Sequence, residues 1–344
     1  MTRPSPLWQL TLARLRQFLR EPGALFWSFG FPLLLTIALG IAFRTRKPDP
    51  VSVVVAAGPG AAQIEGALAA AGGFKVVTLP EAGTRAALRS GRADILVVPG
   101  APPTYEFDPS RPESRLARAA VDDALERAAG RRDILAPGER RITQPGSRYV
   151  DFLVPGLLGL NLLSSGMWGV GYQIVEDRKG KLLKRMVATP MRRSHFLLAF
   201  ILQRLLFLLV ELPVLLGFAR LVFGVRIQGS LLLLVGVAVL GALAFAGVGV
   251  LTASRAQNTA TVSGIINVVM MPMFVASGVF FSIERFPAAI QPALRCLPLT
   301  ALNDALRAIM NEGAGLAAVW PQAVLLAGIG VVSFVVGVRV FRWT

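Results

Sequence analysis

A cationic stretch between two long apolar runs, residues 176–198, is the part of the sequence best suited to binding another molecule through charge. It opens with two acids, Glu176 and Asp177. Seven cations follow: Arg178, Lys179, Lys181, Lys184, Arg185, Arg192 and Arg193. Acids at the positive amino-terminal end of a helix and cations further along complement the helix macrodipole. The order therefore predicts a short helix that begins at Glu176, within a cytoplasmic segment of residues 176–195.

The same stretch has an apolar side. Four residues at helical spacing form it: Leu182, Leu183, Met186 and Val187. An amphipathic, cationic helix next to a membrane span belongs on the cytoplasmic face. Pro190 stops or redirects the chain before the next apolar run. Two interpretations remain, an interfacial anchor that fixes topology and a docking element for a cytosolic partner.

Catalytic chemistry has few candidate residues in this sequence. The single histidine, His195, and the single cysteine, Cys296, lie in different segments, which argues against a nucleophile–base set and against a structural metal site. We expect Cys296 to be a buried free thiol. The phosphate-binding pattern G-x-x-x-x-G-K-[ST] does not occur. We expect no enzyme activity and no cofactor on this chain, so an ATPase with its ATP and Mg²⁺ would be a separate polypeptide.

Polar side chains inside apolar runs are candidates for a transport path. Glu211 lies near mid-membrane, where an ionisable group costs about 2.5–3.5 kcal/mol on insertion scales. Arg204 is seven residues earlier on the same helix face. The sequence allows a structural pair, a role in gating or substrate binding, or a position nearer the interface. Asn161 and Asn267 are weaker path candidates, with hydrogen bonding between helices as the alternative.

The composition is that of an integral membrane protein. Of 344 residues, 54% are hydrophobic and 16% charged, against about a quarter charged in soluble proteins. Six apolar runs predict an α-helical membrane protein with six transmembrane helices: 23–43, 152–175, 200–221, 229–252, 260–281 and 321–340. The net charge of +16 is spread over loops beside these spans, without the aromatic interleaving of a nucleic-acid surface. We expect no nucleic-acid partner.

The amino-terminal segment, residues 1–22, contains a predicted amphipathic helix over residues 5–20. Trp8, Leu12, Leu15 and Leu19 form its apolar stripe. The first span is too long for a signal-peptide core, so we interpret it as an uncleaved signal anchor. With both termini cytoplasmic, the short inner loops and ends hold fourteen Lys and Arg residues and the outer ones four. Both termini are therefore predicted to be cytoplasmic.

Residues 44–150 change character and predict a small α/β domain on the extracytoplasmic side. Strands are predicted over Val51–Ala57, Phe74–Leu79, Asp94–Val98 and Thr104–Phe107, and helices over Gly60–Ala71, Glu81–Ser90 and Pro112–Ala129. The last helix carries an apolar stripe at Leu116, Ala120, Val121 and Leu125. Gly58-Pro59-Gly60 lacks the rest of a phosphate-binding fingerprint, so we interpret it as a turn.

Two stretches together carry a family resemblance. The run Glu176-Asp177-Arg178-x-Gly180-x-Leu182-x-x-Arg185-x-x-Ala188-Thr189-Pro190 resembles the E-R-E-x-G-T-L-x-x-L-x-x-T-P segment of ABC-2 type transporter permeases. Residues 277–281, S-G-V-F-F, and residues 298–307, P-L-T-A-L-N-D-A-L-R, resemble the region before the last span of that family. Lys181, where Thr is common, and Cys296-Leu297 depart from the pattern.

The resemblance implies a coupling helix that touches an ATP-binding cassette ATPase, with the amino-terminal helix as a second contact. The residues carried over are Glu176, Asp177, Arg178, Lys179, Gly180, Leu182, Arg185 and Pro190. The first four would dock the ATPase, Gly180 would bend the chain and Pro190 would act as the hinge into the third span. The resemblance also implies that residues 282–320 form an extracytoplasmic helical cap dipping into the outer leaflet. We expect short amphipathic helices there over Pro287–Leu297 and Thr300–Met310, the second with Leu302, Leu306 and Ile309 opposite Asn303, Asp304 and Arg307.

These observations favour the permease subunit of an ATP-binding cassette exporter in a bacterial cytoplasmic (inner) membrane. Six spans are half of what such an exporter needs, so we expect a second permease chain, identical or not, two ATPase chains and surrounding lipid as partners. The substrate would be hydrophobic or amphipathic. An ion-coupled secondary transporter is the alternative, although no repeated halves are visible. A membrane-anchored ligand-binding receptor would explain residues 44–150 and not the five further spans.

Overall fold

The computed structural model describes residues 6–20, 22–42, 50–132, 148–182 and 193–342. The chain divides into a helical unit, Met1–Arg44 with Thr143–Thr344, and a second unit, Thr45–Ile142. Five helices of the described residues are long and apolar enough to cross a membrane: Tyr149–Lys179, His195–Phe223, Leu231–Ala253, Thr259–Ala276 and Leu316–Val340. The chain is a multi-pass helical membrane protein.

The helical unit begins with α1 (Pro6–Leu19), α2 (Pro22–Leu25), a π-helical segment (Phe26–Gly30) and α3 (Phe31–Ala42). The last three correspond to the predicted first span, and the backbone stays in the right-handed helical region where they join. Helix α3, with 12 residues, is too short by itself to cross a bilayer.

In α1, the face that packs on the protein differs from the predicted stripe. Thr11 and Arg14 are buried, whereas Trp8 and Leu19 are exposed. The packing face therefore contains an arginine, for which a partner inside the protein is required.

The centre of the helical unit is one long helical rod. It consists of α7 (Tyr149–Ser164), a π-helical segment (Ser165–Tyr172) and α8 (Gln173–Lys179) without a break. Its 31 residues correspond to about 45 Å, more than the hydrocarbon thickness of about 30 Å. Of its apolar window, 83% is buried, whereas the windows of the third, fifth and last predicted spans are 28%, 17% and 17% buried. The rod is therefore the core element of this unit.

The remaining helices of this unit are α9 (Arg193–Phe223), α10 (Leu231–Ala253), α11 (Thr259–Ala276), α12 (Gln291–Arg295), α13 (Pro298–Glu312) and α14 (Leu316–Val340), with a 3₁₀ turn at Ile283–Arg285. The fifth predicted span is wrong at its end, because α11 stops at Ala276 and the chain turns through Gly278 at a φ of 71°. Helix α10 packs closely against the rod at glycines on both helices. A Cβ on Gly249 would overlap the Gly166 carbonyl oxygen, and one on Gly171 would lie 3.0 Å from the Gly249 carbonyl oxygen. Small residues let the two backbones touch, as in other membrane helix pairs.

The segment between α11 and α14 is not an ordinary surface loop. The predicted helix over Pro287–Leu297 forms only at Gln291–Arg295, while the second is longer than predicted, Pro298–Glu312. Of the three residues on the predicted polar face, Asn303 is fully buried and Arg307 is half-buried, so other parts of the protein cover much of that face. The prediction that Cys296 is buried is also wrong, since its side chain is exposed.

The second unit is a four-stranded sheet with three helices. Its elements are β1 (Val51–Ala56), α4 (Ala61–Ala71), β2 (Phe74–Leu79), α5 (Glu81–Arg89), β3 (Ile95–Val98), β4 (Thr104–Glu106) and α6 (Pro112–Ala128). The strand order is β2-β1-β3-β4, with β1 parallel to both neighbours and β4 antiparallel to β3. Parallel pairing needs the helical crossovers that α4 and α5 supply. Valines and isoleucine of β1 and β3 fill the core, as expected for strands covered on both faces.

Helix α6 packs through small residues. Its buried positions are Ser114, Ala117, Val121 and Ala124. The predicted stripe is wrong at Leu116, which is 72% exposed, whereas Val121 is buried and Leu125 packs, partly buried, against the core. Small side chains allow α6 to approach the sheet closely. The prediction of a turn at Gly58-Pro59-Gly60 agrees with the structure, in which Gly60 has a φ of 90°.

The contact between the rod and α10 is testable with one methyl group. We expect Gly249→Ala to lower the free energy of unfolding by about 1–3 kcal/mol, because the added Cβ meets backbone that cannot move aside. Gly236→Ala in the same helix is the matched control, since its Cβ would meet nothing within 4 Å. It should be neutral or stabilising by about 0.4–1 kcal/mol. Denaturant unfolding of the purified protein measures both, and equal stability of the two variants would contradict this packing.

Candidate functional site

The end of the rod, where α8 stops, contains the first residues of the cationic stretch. They lie in the carboxy-terminal turn of a helix that continues from the second span, so the predicted short helix beginning at Glu176 is wrong. Successive residues of a helix point about 100° apart. Asp177 is therefore buried, Glu176 and Arg178 are half-buried, and Lys179 is exposed.

Asp177 forms a buried ion pair with Arg14 of α1. Arg14 Nη2 donates to Asp177 Oδ2 at 2.7 Å, and both side chains are less than a tenth exposed. Gln173 Nε2 donates to the other carboxylate oxygen at 3.2 Å. The Arg14 guanidinium also lies over the ring of Phe200, 3.4 Å from its centroid. Three elements, α1, α8 and α9, thus meet at one charge pair.

Burial lowers the pKa of Arg14, and the charge of Asp177 and its hydrogen bond oppose that shift. The pair therefore keeps the arginine charged in an apolar surrounding. Arg14 was not among the residues that the sequence predicted to be functional. The sequence holds one indication of its role: on the predicted helix, Arg14 lies on a different side from the other arginines.

Arg178 fastens the rod to two other helix ends. Its Nη1 donates to the carbonyl oxygens of Ala253, at 2.9 Å, and Ala256, and its Nη2 donates to that of Arg342 at 2.9 Å. The guanidinium lies 5.0 Å from the centroid of Phe341, which is buried. Ala253 ends α10, where carbonyl groups lack helical partners and the macrodipole is negative. Arg178 supplies both the missing donors and the positive charge.

The last residue of the rod, Lys179, and the three residues after it, up to Leu182, are exposed. The chain turns there through hydrogen bonds from the Gly180 and Lys181 amides to the Glu176 and Arg178 carbonyls. The left-handed residue of the turn is Lys181, with a φ of 58°, rather than Gly180. Two candidate residues, Arg185 and Pro190, lie outside the described residues. We call Lys179–Leu182 the exposed tip.

Arg204 and Glu211 form the pair that their spacing allows. Arg204 Nη1 donates to Glu211 Oε2 at 2.6 Å, and both residues are almost fully buried on the inner face of α9.

The other two candidates for a transport path lie in different surroundings. Asn161 is buried in the rod, and Asn267 is exposed on α11.

A second arginine cluster holds the opposite end of the rod. Arg307 of α13 donates to the carbonyl oxygens of Phe152, at 3.2 Å, and Gly278, and its guanidinium lies 3.7 Å from the centroid of the Phe152 ring. Asn303 Nδ2 donates to the Ser277 carbonyl oxygen at 3.1 Å. The two stretches 277–281 and 298–307 are therefore one contact site. From the sequence, the two stretches were grouped only as motifs of one family, because the pattern of neighbouring residues does not predict that they touch.

The described residues contain no group of three or more His, Cys, Asp or Glu side chains placed to hold a metal ion. The contacts described above instead join helices to one another. Their arrangement suits transmission of a movement between helix ends and does not suit bond chemistry.

Comparison with known proteins finds a matching family model and similar transport proteins. Residues 131–339, more than half of the chain, match the model of the family described as ABC-2 family transporter protein. The chain is 29% identical over 175 residues to ABC transporter G family member 20 of Dictyostelium discoideum, covering 50% of this chain and 24% of that protein. It is 27% identical over 176 residues to the inner membrane transport permease YhhJ of Escherichia coli, covering 51% of this chain and 47% of that protein. The alignments thus span half or less of these relatives.

The Arg14–Asp177 pair is testable by removing one charge. We expect Asp177→Ala to cost about 3–5 kcal/mol of stability, because it leaves the buried Arg14 charge uncompensated. Lys179→Ala, two residues further on and exposed, should change stability by no more than about 0.5 kcal/mol. The double variant Arg14→Met with Asp177→Leu should be more stable than Asp177→Ala. Denaturant unfolding decides, and a destabilisation by Lys179→Ala as large as that by Asp177→Ala would refute the pair's role.

Proposed function

Because the chain belongs to the ABC-2 family of transporter proteins, we propose that it is the permease subunit of an exporter whose ATP is hydrolysed on a separate ATP-binding cassette chain. The observation that carries this proposal is the exposed cationic tip, Lys179–Leu182, at the end of a buried rod that hydrogen bonds tie to α1, α10 and α13. A push on the tip would reach the whole helical unit. The substrate would be hydrophobic or amphipathic, in keeping with a helical unit built of apolar spans.

We propose six spans, with α2, the π-helical segment and α3 together as the first. Their 21 residues, Pro22–Ala42, would extend about 30 Å. The distribution of Lys and Arg supports cytoplasmic termini and an extracytoplasmic position for the second unit. For a bacterial chain the membrane would be the cytoplasmic (inner) membrane.

The residues of the coupling stretch would divide into two roles. Lys179, Lys181 and Leu182 would contact the ATPase, since they are exposed. Asp177 and Arg178 would be positioning residues, because their side chains are engaged by Arg14 and by the carbonyl groups that end α10. Glu176 is half-buried and would contribute at the edge of the contact. The ATPase therefore would push on the tip, while the neighbouring pair passes the movement to α1 and α10.

A second permease chain would complete the path. Most side chains of α11 are exposed, and Asn267 is on that surface. A polar side chain on a membrane helix is favourable when it faces a partner or water. We therefore propose that Asn267 lines a path between two chains, and that Asn161 and Glu211 serve the interior of one chain.

The alternative, ion-coupled transport, has less support. It needs an acidic group near mid-membrane that is free to bind and release the ion. Glu211 occupies that position, and Arg204 balances its charge at 2.6 Å.

Charge reversal of the tip tests the coupling proposal. We expect Lys179→Glu with Lys181→Glu to abolish co-purification of the ATPase and ATP-driven loss of a lipophilic fluorescent dye from membranes, while unfolding stability stays unchanged. Arg226→Glu with Arg295→Glu is the matched control, since both are exposed and are predicted to lie on the other side of the membrane. Retention of the ATPase by the tip variant, or its loss in the control, would exclude docking at the tip.

The path position of Asn267 is testable by cysteine labelling. The chain has one cysteine, so Cys296→Ser provides a background without reactive thiols. We expect Asn267→Cys to react with a membrane-impermeant maleimide at least about tenfold faster than Val268→Cys, because thiolates form in water and not in hydrocarbon. Val268 is the neighbour on the same helix and is 74% exposed. Equal rates would place Asn267 outside any aqueous path.

A further inference from the structure

A groove runs between the second half of α9 and the start of α10. Its volume is about 340 Å³, within the range of small-molecule sites. Apolar side chains line most of it: Leu212, Leu216, Ile227, Leu231, Val235 and Met310. The groove belongs to neither the exposed tip nor the Arg204–Glu211 pair.

Gly217 lines the groove. A Cβ at Gly217 would meet nothing within 4 Å, so the position is open rather than tightly packed. Pro213, one turn earlier, also lines the groove and leaves the helix without one amide donor. From Leu212 to Arg220 the groove follows α9 for about 12 Å.

One end of the groove is charged. Arg220, in the last turn of α9, is the charged residue of the lining, and its side chain is exposed. Among the described residues its guanidinium has no hydrogen-bond or ion-pair partner. Helix α9 ends three residues later, at Phe223, and a cation near the end of a membrane helix extends to the boundary between hydrocarbon and water.

We propose that the α9–α10 groove binds one acyl chain of an anionic phospholipid from the surrounding bilayer, with the lipid phosphate on Arg220. The argument is charge complementarity combined with shape. A single cation at the interfacial end of an apolar groove matches an amphiphile with one anionic head and one chain in the groove. The lipid would pack against Gly217 and descend toward Leu212. This inference is independent of the proposed transport function.

Lipid retention by the full-length chain tests the site. The purified protein is mixed with phosphatidylglycerol or phosphatidylcholine of the same chain length, and bound lipids are counted by native mass spectrometry. We expect the unmodified chain to retain phosphatidylglycerol preferentially. Gly217→Phe, which fills the groove, and Arg220→Gln, which removes the charge, should each weaken that retention about tenfold or more.

Two matched variants complete the design. Arg226→Gln removes an exposed cation that does not line the groove, and Gly328→Phe adds a ring at another open helical position. Both should retain phosphatidylglycerol as the unmodified chain does. Equal retention of the two lipids, or equal losses in the matched variants, overturns the proposal. If Gly217→Phe fails to fold, the comparison of Arg220→Gln with Arg226→Gln still decides, and no outcome depends on ATPase binding or transport.

Discussion

The contact between the rod and α10 constrains the rest of the helical unit. Gly166 and Gly171 on the rod lie against Gly249 with backbone touching backbone, so neither helix can shift without the other. Close approach of this kind takes the place of hydrophobic burial between helices, because lipid is as apolar as the helix surfaces. The rod is the most buried of the five spans. Movement applied at one end of such an element is carried along it instead of being absorbed by side chains.

The two ends of the rod use arginine in the same way. Arg178 donates to carbonyl groups that end α10, and Arg307 donates to the Gly278 carbonyl just after α11 and to Phe152 of the rod. Backbone groups at helix ends need donors when water is excluded. Each guanidinium also lies on an aromatic ring, which suits a delocalised cation with part of its surface removed from water. The consequence is mechanical, since each arginine joins the rod to helices that are distant in sequence.

Local pattern was sufficient for much of the fold. The strand Phe74–Leu79 has the bounds that its composition predicts, and each of the other strands and helices of the second unit differs by one residue at one end. These elements follow from hydrophobic periodicity and turn residues, which are features of a few neighbouring positions in the sequence. The Arg204–Glu211 pair was also predictable, because both partners are on one helix and their separation follows from its pitch. The apolar runs predicted the long spans for a similar reason.

Contacts between distant segments were decided by the tertiary structure. The sequence presents Asp177 and Arg178 as part of a charged, solvated helix, yet the second span continues through them and turns both inward, toward Arg14 and the end of α10. Asn303 and Arg307 follow an amphipathic pattern that predicts exposure, and the folded chain covers them because carbonyl groups of other helices need their donors. Hydrophobic periodicity reports which residues avoid water. It does not report which polar residues are recruited to satisfy backbone groups elsewhere, and that information exists only once the helices are packed.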